Sequence, residues 1–189
     1  MSDLILEPTA TALWQRLVRE SANENGLTLD AELEAYLMIL LQRFIRRPEL
    51  MHAIMGRDYL KAHTLGGGLR AEHLRDVGDQ CLLFAGLFPG VAHKRRVSIS
   101  YFIDLGRTAY IDLANALNQG TGQLFHTLAG AFVTLMDTLG TLRARAAFSD
   151  LTALDQFDLW YSCGSQAARR ALARITDATP APPLSQHRH

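Results

Sequence analysis

No stretch of this sequence alternates apolar and polar residues between turn signals, as a half-buried strand would. That absence removes sheet-based folds and, with them, a Rossmann-type nucleotide site. Long apolar runs are missing too: none reaches the ~18 residues of a membrane-spanning helix. The opening MSDLILEPTA has no basic segment leading into an apolar one, so no signal peptide is expected and a cytoplasmic location is. Neither charge sign is in excess, with 19 Lys plus Arg against 19 Asp plus Glu, which leaves no overall field to draw in nucleic acid or an anionic membrane. Cysteine is scarce. Cys81 and Cys163 lie far apart in apolar helical patterns, without CxxC spacing, and are expected as buried free thiols.

The common catalytic signatures are equally absent. Gly66-Gly67-Gly68 has the look of a loop, but no Gly-Lys-Ser/Thr follows it and no strand precedes it, so it is not a phosphate loop. There is no HExxH and no GxSxG. The one ExxH, Glu49 to His52, spaces a carboxylate and an imidazole for a shared metal, yet a di-iron bundle needs a second ExxH and two further glutamates. Glu49 behind Pro48 is better explained as a first-turn acid of a helix. Neither a metal nor a cofactor is expected.

What is present is helical periodicity. Leu13, Trp14, Leu17 and Val18 form the face of a first helix that opens at Pro8 or Thr9 and stops between Asn23 and Gly26. Thr28 or Asp30 caps a second, whose stripe is Leu33, Leu37, Leu40, Leu41 and Phe44. The pattern weakens from Glu49 to Leu65, which predicts only a short helix or two. Further on, Phe125, Leu128, Phe132, Leu135, Leu139 and Leu142 recur at spacings of three and four, a seam that predicts one helix over 122–145. A last helix over 150–175 is expected to bury Leu154, Phe157, Tyr161, Ala168 and Leu172, with Gly164 and Ala168 permitting close approach. Three of the six prolines then fall in TDATPAPPLSQHRH, where nothing is left to bury and a disordered tail is expected from 176 to 189.

The centre of the chain is Asp76 to Tyr110. Its apolar run from Cys81 ends at Pro89-Gly90, and a second helical pattern opens at Ser98, so a helical hairpin spans about 69–118. Asp76 and Asp79 enter the first arm three residues apart; Asp104, Arg107 and Tyr110 repeat that spacing on the second. Antiparallel arms would set Asp79 beside Arg107, and a buried carboxylate needs such a partner. Asp79, Tyr101, Arg107 and Tyr110 are therefore the candidate ligand-binding set, with a structural register lock as the preferred account. Gly86 and Gly106 each cost helix stability and are expected to admit neighbouring side chains. His93, Lys94, Arg95 and Arg96 form a basic loop without interleaved aromatics, a candidate contact for an anion or a partner.

The ordered phrases LEAYLMILLQRF (33–44), DVGDQCLLFAGLFP (76–89), RRVSISYFIDLGRTAY (95–110), FVTLMDTL (132–139) and LWYSCGSQAARRAL (159–172) resemble a family of uncharacterised bacterial proteins. In that family a Gly-Asp precedes an apolar run ending in Phe-Pro, followed by a helix with Gly-Arg/Lys-x-x-Tyr. The resemblance marks Asp79, Tyr101, Gly106, Arg107 and Tyr110 as signature positions and implies no activity. The expectation is thus a single all-α domain over 1–175, about six main helices around the hairpin. Its function is read as a non-enzymatic scaffold or regulatory interaction protein, expected to be a homodimer. The rival reading is a small-ligand-binding protein or enzyme with an interhelical pocket at the candidate set.

Overall fold

Every residue from Val77 to Gly86 is buried, so this stretch of helix is covered on all sides and the other elements are arranged around it. The computed structural model describes residues 10–46, 55–145 and 151–175. Among them the secondary structure is entirely helical: α1 Ala10–Glu24, α2 Ala31–Arg46, α3 Met55–Thr64, α4 Gly67–Gly86, α5 Gly90–Arg95, α6 Ile99–Ala116, α7 Gln119–Gly130, α8 Phe132–Arg145, α9 Ala153–Cys163 and α10 Gln166–Ile175. None of these helices is long and apolar enough to cross a membrane. Residues 8 and 9, the Glu49–His52 spacing and the proline-rich tail lie outside the described residues.

The local signals place the boundaries. The Asp30 carboxylate accepts from the Leu33 amide at 2.8 Å and starts α2. α4 ends at Gly86 with Leu87 as its cap, Pro89 stands at the start of α5, and Ser98 accepts from the Tyr101 amide at 3.2 Å to open α6. The hairpin of α4 and α6 is antiparallel, with Gly78 against Tyr110, Cys81 against Gly106, and the rings of Phe84 and Phe102 at 5.6 Å. α3 packs on one side of α4, α8 on another, and α1 lies across α2 and α8. The two interior glycines of the hairpin do admit side chains: a Cβ at Gly106 would sit 2.6 Å from the Phe132 ring, and one at Gly86 would sit 2.6 Å from the Leu139 Cβ.

Four expectations are corrected. The basic segment at 93–96 is not a loop, because Gly90–Arg95 winds into α5 and buries Ala92 beneath it. α4 opens inside the glycine triplet, at Gly67. The 122–145 helix is divided at Ala131 into α7 and α8, although its seam from Phe125 to Leu139 is buried throughout, as a core-facing stripe should be. The 150–175 helix is divided by Gly164, whose left-handed φ of 71° caps α9 and redirects the chain into α10. No neighbour lies within 4 Å of a Cβ built at Gly164, so the residue serves the turn rather than close packing. With the helix broken there, the expected face is not continuous: Ala168 and Leu172 are buried with Leu159 and Trp160, whereas Leu154, Phe157 and Tyr161 are exposed.

The tightest contact in the hairpin is Tyr110 over the bare backbone of Gly78, where any Cβ would collide with the ring. Gly78→Ala is expected to lower stability by about 1–3 kcal/mol through overpacking, read as a shift of the urea midpoint. Gly120→Ala in α7, with open space around it, is expected to be neutral or to stabilise by up to ~1 kcal/mol.

Candidate functional site

Tyr36 and Arg43 are two turns apart on α2 and so project from one side of that helix, flanking the buried Leu40. Asp76 and Asp79 are one turn apart on α4, and Tyr110 stands on α6. These five side chains meet. The Asp79 carboxylate, 4% exposed, accepts on Oδ1 from the Tyr36 hydroxyl at 2.6 Å and from the Tyr110 hydroxyl at 2.8 Å. Its Oδ2 accepts from one terminal nitrogen of Arg43 at 2.9 Å, while the other terminal nitrogen of Arg43 donates to Asp76. One carboxylate thereby holds three helices.

Burial dominates the electrostatics. Desolvation raises the Asp79 carboxyl from 3.8 to about 6, against the opposing pull of the two tyrosine hydroxyls and Arg43. Both tyrosines are pushed well above their ordinary 10.0, first by burial and then by the adjacent carboxylate, so they stay hydroxylic donors. The guanidinium of Arg43 is held above its ordinary value because its bonds to the two aspartates outweigh its partial burial.

The expected pairing of Asp79 with Arg107 is therefore corrected: the partner is Arg43. The hairpin register itself is as anticipated, but Arg107 shares its side of α6 with Asp104 and Thr108 and is exposed with them, while Gly106, Ala109 and Tyr110 face inward. Tyr101 also stands apart from the cluster. It is 40% exposed, and its hydroxyl lies over Gly56 at the start of α3, beside a cavity of about 430 Å³. Of the four candidate ligand-binding residues, the fold joins only Asp79 and Tyr110.

The basic tetrad disperses as well. His93 pairs with Asp155 of α9 at 3.1 Å, and the guanidinium of Arg95 lies 5.1 Å from the centre of the Phe84 ring. Arg96 turns out of the helix in a left-handed conformation, φ 55°. Arg95 also borders the cavity of about 430 Å³ beside Tyr101, and Lys94 faces a larger one, about 670 Å³, bounded by α1, α2, α5, α8 and the turn after α4. Its walls are apolar, with Trp14 from α1, Leu41 and Phe44 from α2, Phe88 and Val91 around α5, and Leu142 from α8.

Sequence reasoning passed over three residues of consequence. Tyr36 and Arg43 carried one usable signal, two hydrogen-bonding side chains seven residues apart at the margin of a leucine stripe. Asp137 carried none: within the seam of α8 it is 3% exposed and accepts from Ser165 Oγ at 2.6 Å and from the Gln166 and Ala167 amides at 2.8 and 3.2 Å, capping α10 from a neighbouring helix. Beside it lies a mixed polar and apolar crevice of about 420 Å³. Among the described residues, no three His, Cys, Asp or Glu side chains are grouped to hold a metal ion, and none of the four principal cavities is lined by Tyr36, Asp79 or Tyr110.

No family model, curated protein or solved structure matches this chain, so the resemblance read from the sequence rests on the quoted phrases alone.

Two outcomes follow from the cluster. Asp79→Ala and Arg43→Met are each expected to cost about 3–5 kcal/mol, the double variant distinctly less than their sum, and Arg107→Ala within ~0.5 kcal/mol, all measured by urea unfolding. The pH dependence has a definite sign. Since Asp79 titrates near 6 when folded and near its ordinary 3.8 when unfolded, the folded chain keeps a proton in that window which the unfolded chain releases. Stability should rise by about 1 kcal/mol as pH falls from 7 to 5, relative to Asp79→Asn measured alongside.

Proposed function

We propose that this chain is a non-enzymatic helical interaction protein whose working surface is the apolar groove between α1, α2, α5 and α8, and whose Asp79 cluster is architectural. The observation that carries this reading is the division of labour between the two sites. Both oxygens of Asp79 are committed to Tyr36, Tyr110 and Arg43 within the core, whereas the groove leaves aromatic and aliphatic side chains around some 670 Å³ of open space. A poised catalytic carboxylate needs a route for substrate, and an interaction surface needs unspent apolar area. The rival reading, a ligand pocket at Asp79, Tyr101, Arg107 and Tyr110, has no such support, because two of its members face away from the other two.

Self-association is a second part of the same proposal, and it moves to a new surface. The seam over 122–145 is taken up inside the core, while α9 presents Leu154, Phe157 and Tyr161 at helical spacing, 70%, 43% and 55% exposed, with the Phe157 and Tyr161 rings stacked at 5.8 Å. A two-fold axis beside α9 would pair this stripe with its own copy.

The uncharged dye Nile red tests the groove. It is expected to bind the full chain, to be lost with Ile45→Glu, whose side chain is 58% exposed on the groove wall, and to be retained in Tyr110→Phe under conditions where that variant stays folded. The converse pattern would transfer the working site to the cluster. Sedimentation at tens of micromolar is expected to give a dimer, reduced to monomer by Phe157→Glu; a wild-type monomer would dispose of the α9 contact.

A further inference from the structure

The groove is more specific than an apolar patch. Three of the residues lining it are cations, Lys94, Arg143 and Arg145, and none of its lining residues is acidic. The cations are not equivalent. Arg145 already shares its charge with Glu20 at 2.9 Å and Glu24 at 3.5 Å, and Arg143 donates to the Gly86 carbonyl at 3.2 Å. Lys94 makes no ion pair with any described acid, stands exposed on α5, and carries a compact charge on a flexible stem at the cavity that Val91 and Phe88 also line.

Resting on the groove reading above, we propose that this site binds a single-chain lipid anion, a long-chain carboxylate, with its tail between Trp14, Phe44 and Leu142 and its head at Lys94. Size supports a small molecule. A volume of 670 Å³ lies within the ~300–1,000 Å³ of ligand pockets, whereas a partner helix is about 10–12 Å across and could insert only side chains. Composition supports an acyl chain, because the walls are aliphatic and aromatic and offer a tail dispersion contacts and escape from water. Charge supports an anionic head. A cationic amphiphile would meet three like charges, and a neutral one would leave Lys94 with nothing to pair. The carboxylate also gives a role to one member of the basic tetrad while its neighbours are used for Asp155 and Phe84.

Three probes built on a ten-carbon chain and differing at the head separate the alternatives: decanoate, decanol and decyltrimethylammonium, titrated calorimetrically into the full chain below their aggregation limits. Decanoate is expected to bind one per chain and about 5-fold more tightly than decanol, with the cation weakest, and the advantage of decanoate should shrink as salt rises. Lys94→Ala, at an exposed position, should bring decanoate to the level of decanol measured on the same variant; Ile45→Glu should remove both. Equal binding of all three probes, or decanoate binding indifferent to Lys94→Ala, would overturn the proposal. So would displacement of decanoate by an acidic amphipathic peptide that binds more tightly, which would make the groove a helix-docking site. If Nile red binds and responds to Ile45→Glu while decanoate does not bind, the lipid anion is rejected and the interaction surface stands. If neither binds, both readings fall.

Discussion

A buried carboxylate shared by three helices is the constraint on which the rest of this structure depends. Removing Asp79 from water is costly, and the rise of its carboxyl to about 6 shows that burial outweighs its partners even with two hydroxyls and a guanidinium in place. The cluster therefore does not act by adding net stability at neutral pH. Its effect is selective: any arrangement of α2, α4 and α6 that failed to bring Tyr36, Arg43 and Tyr110 to Asp79 would leave a buried charge without hydrogen bonds, which costs far more. Gly78 completes the device, since the Tyr110 ring that reaches the carboxylate occupies the space a Cβ at residue 78 would need.

The same constraint shapes the groove. Arg43 must face α4 to reach Asp76 and Asp79, and successive residues of a helix are turned by about 100°. Once Arg43 is so placed, Leu41, Phe44 and Ile45 are carried round to the side where α1 and α8 approach, and there they form the groove wall. The contact of the Phe44 and Phe88 rings, 5.4 Å apart, joins that wall to the turn after α4. The polar cluster and the apolar groove are thus two faces of one helix orientation. α8 is tied in by a second buried carboxylate, Asp137, which holds the start of α10.

The basic tetrad and the α9 stripe illustrate how helix geometry redistributes what looks contiguous in sequence. Four consecutive basic residues suggest a patch. Wound into α5 they diverge, one to Asp155, one onto Phe84, one to the groove and one past the helix end. On α9 the opposite happens, as residues scattered in sequence, 154, 157 and 161, are assembled into one exposed stripe with two rings stacked.

Helical period and proline and glycine punctuation act over a few residues, and so the sequence by itself determined the all-helical class, the hairpin with its break at Pro89, the opening of α2 near Thr28 or Asp30 and of α6 at Ser98, and the inward face of the 122–145 seam. It also singled out Asp79 and Tyr110, because a carboxylate among Leu, Phe and Cys has to be paired by something. What it left open was by what. Periodicity states which side of a helix is apolar and leaves undecided which other helix covers it, so Arg107, near in the hairpin, was as eligible a partner as Arg43, 36 residues away. Tertiary packing chose Arg43 because the inner side of α6 was already occupied by Gly106, Ala109 and Tyr110 against α4 and α8, which left Arg107 pointing to solvent. The groove was illegible for the same reason: its wall comes from four helices and a turn, and only their packing brings those segments into one surface.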